Sequence, residues 1–223
     1  MNDNAATVAA RRVVHLSTGQ VMRGGERQLA FLHQGLLEKG WHSTILCRAP
    51  SVFDHEQSEG NVRALPWSGV ADILGLLRFW KECRRLHPDV LHCHDANAFT
   101  LGTFLGTLTS TPVVMTRRVL FPIHMHWLNR WKYARVKQLI AVSNAVAQAL
   151  RAVATATVPI HIVADAVEGS SITPQQRRAA RQRLALDEDV LVIGSVGHFT
   201  DEKNAALLMD TAEHLAQTRR QVM

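Results

Sequence analysis

Short, β-branched apolar runs recur along the chain, separated by longer stretches in which apolar residues return at helical spacing. The runs are RVVHLS (Arg12–Ser17), STILC (Ser43–Cys47), NVRALP (Asn61–Pro66), DVLHCH (Asp89–His94), PVVMT (Pro112–Thr116), QLIAVS (Gln138–Ser143) and PIHIV (Pro159–Val163). Each reads as a strand. A helix is predicted from about Glu26 to Lys39, where Gly40 suits its stop, and another from about Val70 to Leu86. In the second, Ile73, Leu74, Leu77 and Trp80 fall at helical spacing. Strands this short and apolar, alternating with helices, predict an α/β fold: a Rossmann-like parallel sheet with helices on both faces.

The stretch DAVEGSSIT (Asp165–Thr173) is polar and holds Gly and Ser, which marks a boundary. Two domains are therefore expected, residues 1–168 and 169–223. After the boundary, TPQQRRAARQRLAL predicts a basic helix with Thr173 as N-cap and Pro174 in its first turn. VLVIGSVGHFTDEKN (Val190–Asn204) then reads as a buried strand, a glycine turn and a helix start. Only 19 residues follow Asn204, whereas a Rossmann-like domain takes roughly a hundred or more. The second domain is expected to open without being finished.

Apolar residues make up 47% of the chain, ample for a core, which excludes a disordered polymer. A net charge of +6 favours anionic partners without choosing among them. Cys47, Cys83 and Cys93 have no paired spacing, as expected of reduced thiols. The first residues lack a signal-peptide core. The uncharged run Ala96–Met115 is rich in Thr and Gly and carries Pro112, so it predicts helix then strand rather than a membrane span. A cytoplasmic protein is expected, with peripheral contact at the inner face of a membrane.

Four stretches carry candidate chemistry. Gly24 and Gly25 stand between the first strand and its helix, where backbone can approach an anion closely, or where they simply form a turn. The spacing matches neither the dinucleotide fingerprint nor the P-loop. His92 and His94 fall on one face near a strand's C-terminal end, the edge at which open α/β sheets bind ligands. They fit polar contact with a sugar or phosphate, a zinc site with Asp95 and His124 or His126, or plain packing. The segment TRRVLFPIHMHWLNRWKYARVK (Thr116–Lys137) interleaves cations with Trp127, Trp131 and Tyr133. Its helical part, Trp127–Lys137, could lie on an anionic membrane or bury its tryptophans; no nucleic-acid motif is present. Arg117 and Arg118, just past a strand end, are the better anion-site candidates. Last, Lys203 at a helix start opposes the helix dipole unless it meets a phosphate shared with the helix N–H groups.

In this order the segments resemble family 4 retaining glycosyltransferases of the GT-B fold. The shared stretches are Gly24-Gly25-Glu26-Arg27, PDVLHCH with Asn97 just beyond, Ser143 to Ala145, and VGHFTDEKN. The resemblance implies metal-free transfer of a hexosyl group from a nucleotide-sugar to a glycan or lipid-linked envelope acceptor. The first domain would shape the acceptor site and the second would bind the donor. It further implies that Gly24 and Gly25 amides face the donor phosphate and that His198 and Lys203 meet the diphosphate. His94, Arg117 and Arg118 would stand nearest the chemistry, with Glu26, His92, Asn97, Ser143 and Asp165 around them. There are departures. His198 replaces an arginine, DAV (Asp165–Val167) replaces an NGV hinge, and Arg117-Arg118 replace a histidine. No two glutamates have the family's seven-residue separation. The resemblance thus predicts a truncated form with weak or no transfer of its own. The residues also leave open a metal-dependent hydrolase on His92, His94 and Asp95, and a non-catalytic binding module.

Overall fold

The computed structural model describes residues 11–53, 61–69, 71–167, 169, 171–188, 190–195 and 204–218. In chain order the elements are β1 (Arg12–Ser17), α1 (Gly24–Glu38), β2 (His42–Arg48), β3 (Val62–Leu65), α2 (Ile73–Leu86), β4 (Val90–Cys93) and α3 (Ala96–Thr109). There follow β5 (Val113–Arg117), α4 (Trp127–Arg135), β6 (Gln138–Ala141), α5 (Asn144–Arg151), β7 (Ile160–Ile162), α6 (Pro174–Arg183) and α7 (Ala205–Thr218). The chain divides into two compact units, Met1–Ala166 and Val167–Met223.

The first unit holds one seven-stranded, all-parallel sheet in the order β3-β2-β1-β4-β5-β6-β7. The order reverses between β1 and β4, whose registers pair His15 with His92 and Leu16 with Cys93. That reversal is the topological switch of an open α/β sheet. Alternation along the strands sends Val14, Leu16, Leu91, Cys93, Met115, Leu139 and Ala141 to one face. There they pack with Phe79 of α2, Phe99 and Leu105 of α3, Tyr133 of α4 and Leu150 of α5. The opposite face carries a smaller cluster, Leu29 of α1 with Ile45, Cys47, Phe53 and Val62.

Caps explain where several helices start. Asp72, Asp95 and Ser143 accept from the N–H groups of Gly75, Ala98 and Val146 at the heads of α2, α3 and α5. Thr173 caps α6 and Pro174 opens it, as the sequence predicts, and Gln176 completes a capping box. In α2 the helix is where the spacing puts it but its buried face is not. Ile73, Leu74 and Leu77 are exposed, while Gly75, Phe79 and Cys83 face the sheet. A Cβ on Gly75 would lie 2.6 Å from Trp67 Cδ1, so this face alone admits the Trp67 ring.

The second unit, taken by itself, holds α6 and α7. Residues 190–195 form no strand beyond a single bridge residue at Leu191, and Leu191, Val192 and Ile193 are exposed. The buried strand expected there is absent among the described residues of this unit, which offer no further strand for it to pair with. His198 and Lys203 lie outside the described residues. No helix among the described residues is long and apolar enough to cross a membrane.

Candidate functional site

β1, β4 and β5 are neighbours, so the residues at their C-terminal ends converge although they are far apart in sequence. Asp95, the cap at the head of α3 two residues past β4, accepts from Thr18 N and Thr18 Oγ1, each at 2.7 Å, and from Ala98 N at 2.8 Å. It thereby ties the loop after β1 to α3. His94 places Nε2 3.0 Å from His15 Nδ1 and Nδ1 3.4 Å from Arg118 Nη1. A guanidinium only donates, so His94 Nδ1 accepts and its proton is on Nε2, directed at His15. His15 then carries its own proton on Nε2, which is buried and meets no hydrogen-bond partner among the described residues. His92 sits beside them with Nε2 2.7 Å from Thr116 Oγ1, its ring centroid 4.1 Å from that of His94.

These imidazoles are neutral. Burial, then the neighbouring His92 and His33, hold His15 well below the usual histidine range. Burial and then the Arg118 charge lower His92 to about 3. His94 is lowered by burial first, then by His92, His15 and Arg118.

Arg118 closes the arrangement. Its Nε lies 3.2 Å from Asp165 Oδ1, and its stem runs 3.8 Å from where a Cβ on Gly25 would sit. Asp165 is carried there because Gln28 of α1 straps the chain after β7. Gln28 Oε1 accepts from Ala166 N at 3.0 Å, and Gln28 Nε2 donates to Ala166 O. Beside this polar end runs a trough of ≈ 480 Å³, floored by Val13, Val90, Val114 and Ile140 and walled by Phe31 and Leu36 of α1.

The other sequence candidates fall into place around this centre. Gly24 and Gly25 are the first residues of α1, with Gly24 facing open space. Glu26 folds back to accept from Arg23 N at 3.1 Å and serves as a cap. Ser143 caps α5, and Asn97 is exposed in the first turn of α3.

Arg117 does not join Arg118. As the last residue of β5 it faces the other side of the sheet, where its guanidinium donates to the carbonyl of Phe121 and lies against Tyr133. Adjacent residues on a strand point opposite ways, so only one arginine of the pair reaches the histidines. His15, Thr18, Gln28 and Thr116 were not singled out from sequence. The β1–β4 and β4–β5 pairings reveal His15, Thr18 and Thr116, and the strap from α1 to Ala166 reveals Gln28; His15 alone had a signal, an imidazole two residues before the end of an apolar strand.

The nitrogen donors of His15, His92 and His94 all lie within 4.8 Å of one another, so the three imidazoles are a conceivable metal cluster. The zinc set considered from sequence does not assemble, however. Both oxygens of Asp95 are committed to N–H and O–H donors, and both nitrogens of His94 are engaged. His124 and His126 sit on an exposed segment outside the cluster. The Arg118 cation beside His94 also opposes a second cation.

Solved structures share this fold. Alr3699/HepE of Anabaena, crystallised with UDP-glucose, superimposes with a TM-score of 0.75 at 18% identity, covering 95% of this chain and 59% of that one. A glycosyltransferase from Rickettsia africae gives 0.70 at 15% identity, over 96% and 59%. Sucrose-phosphate synthase from Thermosynechococcus elongatus gives 0.60 at 14%, over 91% and 60%. The chain therefore spans about three fifths of the length of these proteins. No curated protein matches it significantly. The family model Glycosyltransferase Family 4 matches residues 22–168, more than half of the chain and all of the seven-stranded unit from α1 to β7. The chain belongs to glycosyltransferase family 4.

Proposed function

We propose that the protein acts in retaining transfer of a hexosyl group from a nucleotide-sugar to a hydroxyl of a glycan or lipid-linked envelope acceptor. The seven-stranded unit would form the acceptor side, working at the cytoplasmic face. The observation that carries this reading is the convergence of Arg118, His94 and Gly25 at the crevice edge of β1, β4 and β5 in a family 4 chain. Open α/β sheets take their ligands at that edge. Likeness to HepE crystallised with UDP-glucose supports a nucleotide-sugar as donor.

In the reaction, the bond from the sugar's anomeric carbon to the diphosphate breaks and a bond from that carbon to the acceptor oxygen forms. The hydroxyl proton leaves with the departing diphosphate. The negative charge growing on the diphosphate needs donors already in place. Gly24 and Gly25 N–H groups at the head of α1 and the Arg118 guanidinium are such donors here. His198 and Lys203 are assigned the same task by resemblance. The carboxylates of this centre are both engaged, Asp95 by three donors and Asp165 by Arg118. Neither is free to attack the sugar, which supports same-face substitution over a covalent glycosyl intermediate. His94 acts as a fixed dipole rather than a base, since both of its nitrogens are in use.

Saturation-transfer NMR against a panel of UDP- and GDP-hexoses tests the reading. A sugar-nucleotide is expected to bind, and Arg118→Met to weaken it by about tenfold or more. A panel with no binder, or one bound equally by the wild type and Arg118→Met, would overturn it.

A further inference from the structure

Between Asp95 and Asp165 the chain contains no acidic residue at all, yet it holds seven Lys and Arg. The +7 of this stretch exceeds the +6 of the whole chain. The stretch is contiguous in space as well as in sequence. It forms α3 and everything from β5 to β7, which is the half of the sheet beyond β4. Arg130, Arg135 and Lys137 are exposed there.

Within the same half, the segment joining β5 to α4 presents its apolar side chains outward. Val119 is 45% exposed, Leu120 60%, Phe121 56% and Trp127 76%. The segment is built to hold them there. Arg117 clasps it from beneath through the carbonyl of Phe121, and Asn129 Nδ2 donates to His124 O at 2.7 Å. Ile123 and Met125 turn inward and pack on the core, so they anchor the backbone. Trp131 is not part of the outward cluster, because its ring stacks 4.7 Å from Phe104 of α3. The contact surface expected on the Trp127–Lys137 helix is thereby moved one element toward the N-terminus, with Trp127 at its edge.

Large apolar side chains held out of the core, in a stretch with exposed cations and no carboxylate, match a bilayer with anionic headgroups, into whose interface the rings insert. We infer that Val119–Phe121 and Trp127, with Arg130, Arg135 and Lys137, form a docking surface for an anionic lipid membrane. The surface begins one residue after Arg118, so a docked molecule brings the histidine and arginine centre close to the headgroups. Docking stands independently of the transfer reading, because it is measured without a sugar donor.

The experiment is cosedimentation of the full 223-residue protein with sucrose-loaded vesicles, either pure phosphatidylcholine or with 30 mol% phosphatidylglycerol. These vesicles stand for an anionic leaflet. Partitioning onto the anionic vesicles is expected to be at least about twentyfold stronger and to fall with added salt. Leu120→Ser/Phe121→Ser is expected to cut it by about tenfold or more. Arg130→Gln/Arg135→Gln should cost about fivefold per charge. Ile73→Ser/Leu74→Ser, which removes the exposed stripe of α2, should leave it unchanged. All of these positions are on the surface, and far-UV circular dichroism checks that each variant keeps its fold. Equal binding to both vesicle types, no binding to either, or loss in the α2 variant instead of the loop variant overturns the inference. So does a doubled mass in light scattering that Leu120→Ser/Phe121→Ser abolishes, which would make the surface a self-association site. A single-stranded RNA that competes off the vesicles and binds the loop variant normally would reassign the charges to nucleic acid.

Discussion

His15 and His92 are enclosed in the sheet as neutral imidazoles, with burial the main cause and the Arg118 charge adding to it at His92. In the unfolded chain a histidine titrates near 6.5. Their folded values are depressed, so their contribution to stability is complete above about 6.5 and is lost as pH falls toward about 3, where His92 titrates. Between pH 6.5 and 5, before carboxylates dominate, stability is expected to drop by about 1 kcal/mol per pH unit for each of these two residues and for His94, which burial lowers in the same way. Urea midpoints across that window measure the slope, and His92→Asn should remove about a third of it. A midpoint flat over the window would contradict neutral burial. The spacing of His92 and His94 was legible in the sequence because two residues on one strand share a face. Their partner His15 was not, because it is 79 residues from His94 and meets it only through the β1–β4 pairing. Likewise nothing local told Arg117 from Arg118; the choice depends on where β5 ends.

At the scale of elements, α3 packs against the sheet at two of its glycines with no room for a side chain. A Cβ on Gly102 would meet Cys93 Sγ at 2.3 Å and Leu16 Cδ1 at 2.9 Å, both side-chain atoms. A Cβ on Gly106 would meet Val113 Cγ2 at 2.5 Å and also the backbone oxygen of Thr111 at 2.7 Å. Side chains can turn aside, whereas the Thr111 carbonyl belongs to the turn that ends the helix. Each Gly→Ala change gains about 1 kcal/mol of helix propensity and loses about 1–3 kcal/mol to overpacking. Gly106→Ala is accordingly expected to lower the thermal midpoint more than Gly102→Ala does. The reverse order would contradict the assigned contacts. Strand positions were legible almost to the residue, since parallel strands buried on both faces leave uninterrupted apolar runs. The inward face of α2 was not. That helix is apolar on two sides, and only the approach of Trp67 to Gly75 decides between them. The run at residues 190–195 shows the converse: an apolar β-branched sequence stays exposed where the described residues of its own unit offer no further strand to pair with.

Across the whole molecule, the α/β class and the parallel sheet could be read from alternation alone, and the order of four short stretches pointed to the family. What alternation could not supply was the strand order, and with it the meaning of the missing carboxylates. Once β5, β6 and β7 are known to lie together at one side of β4, the seven-stranded unit, with its positive charge gathered on that side, becomes an electric dipole. Such a body turns in the field of an anionic surface before it touches it. Rotation costs nothing chemically and happens during the approach, within about a Debye length, on the order of 10 Å at 0.1 M salt. Stopped-flow mixing with anionic vesicles is therefore expected to show an association rate falling about tenfold between 50 and 300 mM salt. Departure, governed by the inserted rings of Phe121 and Trp127, should change much less. If salt acted on departure alone, the dipole would have no part in it. If instead the association rate falls as expected, the asymmetry aims the seven-stranded unit: most encounters would begin with the centre at β1, β4 and β5 already turned toward the surface, and few collisions would be spent on the wrong side.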